Sequence, residues 1–111
     1  MKQIIYLMLG LLLLSACQIA TEQKYTVEVY ANPGLEFQGS IGGGGNTRSI
    51  QGVGTSQTPL IYEIEGWPAV AVIQKMQENG AVIVKIKDAK GNVLGQQSTE
   101  AAYGIVTVSS S

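Results

Sequence analysis

Strict alternation of apolar and polar residues is the feature that most constrains the fold of this chain. In the stretch that begins at Tyr25, the residues Val27 and Val29 fall on one side of an extended backbone, and Thr26 and Glu28 fall on the other. A period of two places successive side chains on opposite faces of a strand. The stretch therefore predicts a half-buried β-strand.

The same pattern recurs between turn signals along the rest of the chain. Turns are predicted at Asn32-Pro33-Gly34 and at Asp88-Ala89-Lys90-Gly91, where the glycine suits the left-handed position of a three-residue hairpin. No stretch after Cys17 has convincing helical periodicity. Strands are predicted over residues 25–30, 35–41, 47–53, 60–65, 69–76, 82–87, 93–97 and 103–108. The pattern predicts an all-β fold, an Ig-like antiparallel β-sandwich of about seven to eight strands over residues 25–111.

A run of glycines, Gly42 to Gly45 followed by Asn46, interrupts the pattern after the second predicted strand. Glycine runs occur in phosphate-binding loops, but such a loop opens a helix and usually carries Lys with Ser or Thr. No such helix and Lys follow here. Because glycine-rich segments are otherwise flexible, we predict a mobile hairpin tip.

The first residues of the chain have the anatomy of a bacterial lipoprotein leader. Lys2 gives a basic start, residues 4–14 are predominantly apolar, and small residues precede Cys17, which is the only cysteine. The apolar run is about half of the roughly 20 residues that a membrane-spanning helix needs. Leu14-Ser15-Ala16-Cys17 resembles a lipobox, in which the peptidase cuts before a cysteine that carries lipid. We predict a signal peptide over residues 1–16 and lipid attachment at Cys17, with an ordinary cleaved signal or an uncleaved anchor helix as alternatives.

Cys17 and the residues up to Lys24 are predicted to be an anchor and a short polar tether. Two or more acyl chains anchor a protein stably to a membrane. The seven residues from Gln18 to Lys24 span about 25 Å when extended, at about 3.3–3.6 Å each. We therefore expect a domain held near the extracytoplasmic surface of an envelope membrane. The absence of Asp after Cys17 favours the periplasmic face of the outer membrane, if the cell is Gram-negative.

The charge balance argues against two classes of partner. The chain has seven Lys and Arg and eight Asp and Glu, and removal of Lys2 with the leader leaves six against eight, a net charge near −2. No basic patch indicates nucleic acid, and no polybasic run indicates anionic lipid. A single cysteine excludes an internal disulfide. We expect one small, monomeric domain that is stabilised by packing and strand pairing.

The residue types exclude most catalytic chemistry. The chain has no histidine, and its cysteine is assigned to lipid, so metal sites built on His and Cys and nucleophiles activated by His are excluded. Glu63 and Glu65 lie two residues apart on one strand face, where they could bind a hard cation or exchange protons. Because calcium needs about 6–8 oxygen ligands, we interpret the pair as a solvated face. We predict no catalytic residue, cofactor or metal.

Trp67 is the candidate for contact with a partner. Pro68, which follows it, cannot donate to a strand ladder and suits a strand start or an edge. Docking surfaces commonly use an exposed strand edge or an aromatic patch. Two other interpretations are an aromatic residue that covers the core or an edge, and a sugar or peptide platform formed with Tyr30, Tyr62 or Tyr103.

The order of several short motifs resembles one known group. The motifs are Tyr25-Thr26-Val27-Glu28-Val29, Gly34-Leu35-Glu36-Phe37, Gly80 to Lys87, and Ala102-Tyr103-Gly104-Ile105-Val106-Thr107. Their order resembles the Ig-like extracytoplasmic domain of the mycobacterial membrane protein small (MmpS) family and its lipoprotein relatives. Many members carry two cysteines, at positions that align with Val84 and Val108, and usually a transmembrane helix where this chain has a lipobox. The resemblance implies accessory partners of large lipid exporters.

These features together predict a function class. We expect a noncatalytic, lipid-anchored envelope lipoprotein that serves as a binding or accessory module for an integral, transport-type envelope complex. The alternatives are a small carbohydrate- or peptide-binding lipoprotein module and a lipoprotein enzyme. The missing histidine counts against most hydrolases.

Overall fold

The structure is a computed structural model that describes residues 23–56 and 59–110. The predicted signal peptide, Cys17 and most of the tether lie outside the described residues. Eight strands make up the described part: β1 (Lys24–Ala31), β2 (Glu36–Gly43), β3 (Asn46–Val53), β4 (Leu60–Glu65), β5 (Ala69–Lys75), β6 (Val82–Asp88), β7 (Val93–Thr99) and β8 (Ile105–Ser109). The expected all-β fold with seven to eight strands is confirmed.

The strands form two four-stranded sheets in which every neighbouring pair is antiparallel. Sheet A has the order β4-β1-β6-β7, and sheet B has the order β3-β2-β5-β8. The β2–β3 and β6–β7 connections join neighbours within a sheet, whereas the other connections cross from one sheet to the other. Neither sheet is therefore formed by one continuous segment, and the two sheets form a β-sandwich.

The core lies between the sheets and includes Val27 and Val29, which the alternation assigned to one face. A strand face packed in this way favours β-branched side chains, which suit a pleated surface. Each fully buried aliphatic side chain contributes about 1.5–3 kcal/mol relative to exposure. The buried apolar residues are Val27, Val29, Leu35, Phe37, Ile41, Ile64, Ala69, Ala71, Ile73, Val82, Val84, Ile86, Val106 and Val108. Val84 and Val108, which align with the cysteines of the resembled family, thus pack in the core from different sheets.

The turn within the glycine run is shorter than the sequence suggested. Gly42 and Gly43 belong to β2, and the chain turns at Gly44 and Gly45, which have φ of +62° and +89°. Gly43 is buried, and a Cβ at this position would clash with the carbonyl oxygen of Gly66. The prediction of one mobile tip over the whole run was wrong, because Gly42 and Gly43 belong to a strand and Gly43 packs closely against the backbone of Gly66.

The last strand begins two residues later than predicted. Tyr103 has φ of +54°, a left-handed conformation that lies outside the β region and places it in the turn before β8. Its amide donates to the carbonyl oxygen of Gln77 at 3.1 Å, and its own carbonyl oxygen accepts from Nε2 of Gln74 at 3.3 Å. These bonds fasten the turn to β5 and to the segment that follows it.

A lysine that the sequence did not mark as buried lies on the inner face of β5. Lys75 is fully buried, and its ammonium group donates to the carbonyl oxygens of Glu78, Glu100 and Ala101 at 3.2, 3.2 and 2.8 Å. An ammonium group has three donors, so these three acceptors satisfy it completely. Lys75 thereby joins the turn after β5 to the turn before β8.

Candidate functional site

The chain enters the sandwich at the end that carries the predicted contact residue. The carbonyl oxygen of Gln23 accepts a hydrogen bond from the amide of Gly66 at 2.9 Å, and Trp67 follows directly. Ser110 lies at the same end, because its amide and hydroxyl bond to the carbonyl and amide of Ala69, each at 2.9 Å. We call this surface the entry end. It consists of Gln23, the Gly44–Gly45 tip, residues 66–68, the turn 88–91 and Ser110.

Trp67 lies in the turn between β4 and β5, where its side chain extends away from the core. It is 54% exposed, so the interpretation of Trp67 as a core residue is wrong. The Trp67–Pro68 peptide bond is cis. Pro68 immediately precedes β5, which lies between β2 and β8. Of the two positions that suit proline, the structure shows a strand start rather than an edge.

The tyrosines named with Trp67 do not form a platform with it. Tyr30 and Tyr103 lie toward the opposite end of the sandwich, near the end of β1 and before the start of β8. Tyr62 packs against the core, and burial raises the pKa of its hydroxyl. Among the described residues, Trp67 is the exposed aromatic side chain of the entry end. It can offer a partner a single apolar anchor rather than a stacked surface.

The backbone of Trp67 lies close to the β2–β3 tip. A Cβ on Gly44 would be 3.9 Å from the Trp67 backbone nitrogen, and Gly66 and Pro68 adjoin Trp67 in the chain. Asp88, in the neighbouring turn, accepts from the amides of Lys90 and Asn92 at 2.9 Å each. The bonds from Asn92 and Lys90 hold the pKa of Asp88 below its usual value. This carboxylate is therefore engaged within its own hairpin.

Glu63 and Glu65 lie on the exposed face of β4, as the sequence indicated. The carbonyl oxygen of Glu63 accepts from the guanidinium of Arg48 at 3.0 Å, which places a charged side chain over the outer edge of sheet A. Charged side chains at an edge strand oppose pairing with a second chain. Within residues 23–56 and 59–110, no three His, Cys, Asp or Glu side chains are grouped so that they could hold a metal ion.

The outer face of sheet A carries charges that pair with one another. The Tyr30 hydroxyl donates to Glu28 at 2.7 Å, and the Lys87 ammonium lies 3.0 Å from the same carboxylate. The bond from Tyr30, with the further effect of Lys87, lowers the pKa of Glu28. The Lys85 ammonium lies 5.0 Å from the centre of the Tyr30 ring, within the range of a cation–π contact. The side chains of Glu28, Tyr30, Lys85 and Lys87 on this face therefore interact with one another.

The outer face of sheet B has a different character. Gln51, Gln38 and Gln74 lie side by side on β3, β2 and β5, and we call them the glutamine row. The adjoining row contains hydroxyl and aliphatic side chains. A shallow groove of about 610 Å³ lies over these rows and is lined by Gln38, Gly39, Ser40, Ser49, Ile50, Gln51, Val72, Gln74 and Ile105. None of these lining residues is charged.

Comparison with known proteins finds no family model and no curated protein that matches this chain. In the part of the chain that the structure describes, no helix has the length and apolar character needed to span a membrane. The functional interpretation therefore depends on the entry end, on the two sheet faces and on the sequence before Gln23.

Sequence reasoning selected Trp67 but missed the groove on sheet B. In a strand over residues 35–41, Gln38 and Ser40 lie on the face opposite Phe37 and Ile41, yet the alternation does not reveal which strands are neighbours. The side-by-side placement of three glutamines follows from the β3-β2-β5 order, which the chain sequence does not display.

Proposed function

We propose that this protein is a noncatalytic, lipid-anchored lipoprotein of the bacterial envelope, and that it serves as a binding or accessory module for an integral, transport-type envelope complex. Its anchor is lipid on Cys17, after removal of residues 1–16. The proposed location is the extracytoplasmic side of a membrane, which is the periplasmic face of the outer membrane if the cell is Gram-negative. The accessory role agrees with what the MmpS resemblance implies.

One observation carries this proposal: the exposed Trp67 lies at the end of the sandwich where the chain enters. Gln23 is the sixth residue after Cys17, so the connection spans about 20 Å when extended, at about 3.3–3.6 Å for each residue. A lipid on Cys17 would therefore hold the entry end close to the bilayer. An integral protein is the partner that such a surface meets, and large aromatic side chains are frequent anchors of protein interfaces.

The exposure of Trp67 makes the proposal testable without loss of the fold. A core Trp replaced by Ala costs about 3–5 kcal/mol, whereas a side chain that is more than half exposed should cost clearly less. We expect Trp67→Ala to reduce the recovery of an integral partner after crosslinking in membranes. Urea unfolding of the same variant should show a loss of less than about 2 kcal/mol, because less than half of the side chain is buried.

Two matched variants separate the anchor from the contact. Ile61→Ala removes an exposed apolar side chain from sheet A and should leave recovery of the partner unchanged. Cys17→Ala should abolish labelling by an alkyne fatty acid and block cleavage by the lipoprotein peptidase. Equal labelling of Cys17→Ala and the parent would refute the anchor. Undiminished recovery with Trp67→Ala would refute the contact.

A further inference from the structure

The groove over the glutamine row has no role in the proposed docking, because it lies on the outer face of sheet B and away from Trp67. We propose that this groove binds an uncharged polysaccharide chain that lies across the strands. The binding site would use the amides of Gln38, Gln51 and Gln74, with Val72 and Ile105 as apolar contacts. This inference does not depend on the lipid anchor or on the partner at the entry end.

The spacing of the amides supports a ligand with a regular repeat. The three glutamines lie in register on adjacent strands, Gln51 opposite Gln38 and Gln38 opposite Gln74. Adjacent strands are about 4.8 Å apart, so neighbouring glutamine side chains in the row are spaced by about this distance. The interval is close to the length of one sugar unit in an extended glycan. A glycan that crosses the strands would therefore meet one amide for each ring.

The chemistry of the row also matches hydroxyl and acetamido groups. A glutamine amide has two N–H donors and a carbonyl acceptor, so it can bond to a group that both donates and accepts. The side chains of Gln38 and Gln51 are exposed and have no hydrogen bond to any other described residue. Nε2 of Gln74 donates to the Tyr103 carbonyl, which leaves the oxygen of that amide as an acceptor.

Apolar side chains complete the groove on the β5–β8 side. Ile105 is 60% exposed and lies opposite Gln74, and Val72 lies on the same face one row away. The C–H surfaces of sugar rings can pack on such side chains while the hydroxyl groups bond to the amides. The volume of about 610 Å³ falls in the usual range for ligand sites, about 300–1,000 Å³.

The absence of charged side chains from the lining of the groove favours an uncharged ligand over an ionic one. The lining of the groove contains no Lys, Arg, Asp or Glu, whereas the outer face of sheet A presents Glu28, Lys85 and Lys87. A charged polymer would find no opposite charge in the groove. Occupation of the groove by a second copy of the chain would appear instead as a dependence on protein concentration.

The test uses the full-length, isotope-labelled protein in detergent micelles, with NMR detection of the glutamine side-chain amides. The probes are a tetramer of N-acetylglucosamine and a β-linked glucose tetramer, both uncharged. We expect saturable shifts of the Gln38, Gln51 and Gln74 amides with at least one probe. The double variant Gln38→Ala/Gln51→Ala should weaken binding at least about fivefold, since each neutral hydrogen bond contributes about 0.5–1.5 kcal/mol.

Gln96→Ala provides the matched control, because Gln96 is an exposed glutamine on sheet A, opposite Lys85. It should bind the probe as the parent protein does. The proposal is overturned if neither sugar produces saturable shifts, or if the shifts lie outside the groove. It is also overturned if Gln96→Ala binds as weakly as the double variant, if an uncharged peptide of similar length binds equally well, or if the groove amides shift with protein concentration alone.

Discussion

Replacement of Lys75 with Met is expected to destabilise the domain by about 2–4 kcal/mol, mainly through three lost hydrogen bonds. Met keeps an unbranched apolar side chain in the core but has no ammonium group. The carbonyl oxygens of Glu78, Glu100 and Ala101 would lose the donor that they share. The variant therefore isolates the effect of the buried charge from that of core packing.

The magnitude follows from the three contacts and from the places where the acceptors lie. A hydrogen bond to a charged group contributes about 1.5–3 kcal/mol, so three independent bonds would contribute about 4.5 kcal/mol or more. The bonds are not independent, because one ammonium group makes all of them. Glu78, Glu100 and Ala101 are in exposed turns, where water can replace part of the lost bonding. The expected loss is therefore about that of one to two bonds.

Urea unfolding of the chain from Gln18 onward, followed by circular dichroism, measures this loss. Lys90→Met is the matched control, since Lys90 is exposed in the β6–β7 turn and its replacement should change stability by less than about 0.5 kcal/mol. Replacing a buried ion with an apolar residue is neutral or stabilising in some proteins. A Lys75→Met variant as stable as the parent would show that burial of the ammonium costs as much as its three bonds contribute.

Two further predictions concern the sheet A network and the β2–β3 tip. Tyr30 and Lys87 lower the pKa of Glu28 from its usual 4.5. The stability that this carboxylate contributes should therefore be fully present above that pH and should decrease as the pH falls through the lowered pKa. Tyr30→Phe should make the free energy of unfolding, measured by urea titration, fall less between neutral and acid pH. The same pH dependence in the variant and the parent would contradict this prediction. Gly43→Ala should cost about 1–3 kcal/mol through its clash with Gly66. Insertion of two residues between Gly44 and Gly45 should cost less than about 1 kcal/mol. A cost equal to that of Gly43→Ala would show that the tip is packed.

Much of the secondary structure could be predicted because inward and outward orientation is a local property of an extended chain. β4 has the predicted bounds, and Val82, Val84 and Ile86 of β6 are buried as their alternation indicated. The turn after β6 also follows from local chemistry. Gly91 has φ of +87°, and its amide donates to the carbonyl oxygen of Asp88 at 3.0 Å. Such features depend on residues a few positions apart.

Features that depend on distant segments were not predictable in the same way. A polar residue at an inward position, such as Lys75, has no local signal that identifies its acceptors, and two of them lie more than 20 residues away. The exposure of Trp67 was likewise undecided, since a turn can direct an indole toward the core or away from it. The packing of Gly43 against Gly66 is another such contact, between the β2–β3 hairpin and the β4–β5 connection.

The sequence by itself determined the all-β class and the inward and outward faces of strands such as β1 and β6, because each depends on a local pattern; the lipidation of Cys17 stays a prediction from a short motif. Only the tertiary structure decided which strands are neighbours, and with them the glutamine row and the position of Trp67 beside the chain entry. The physical reason is that the backbone edge of each strand could form the same hydrogen bonds with several other strands. The pairing that forms depends on how all eight strands bury their apolar faces together.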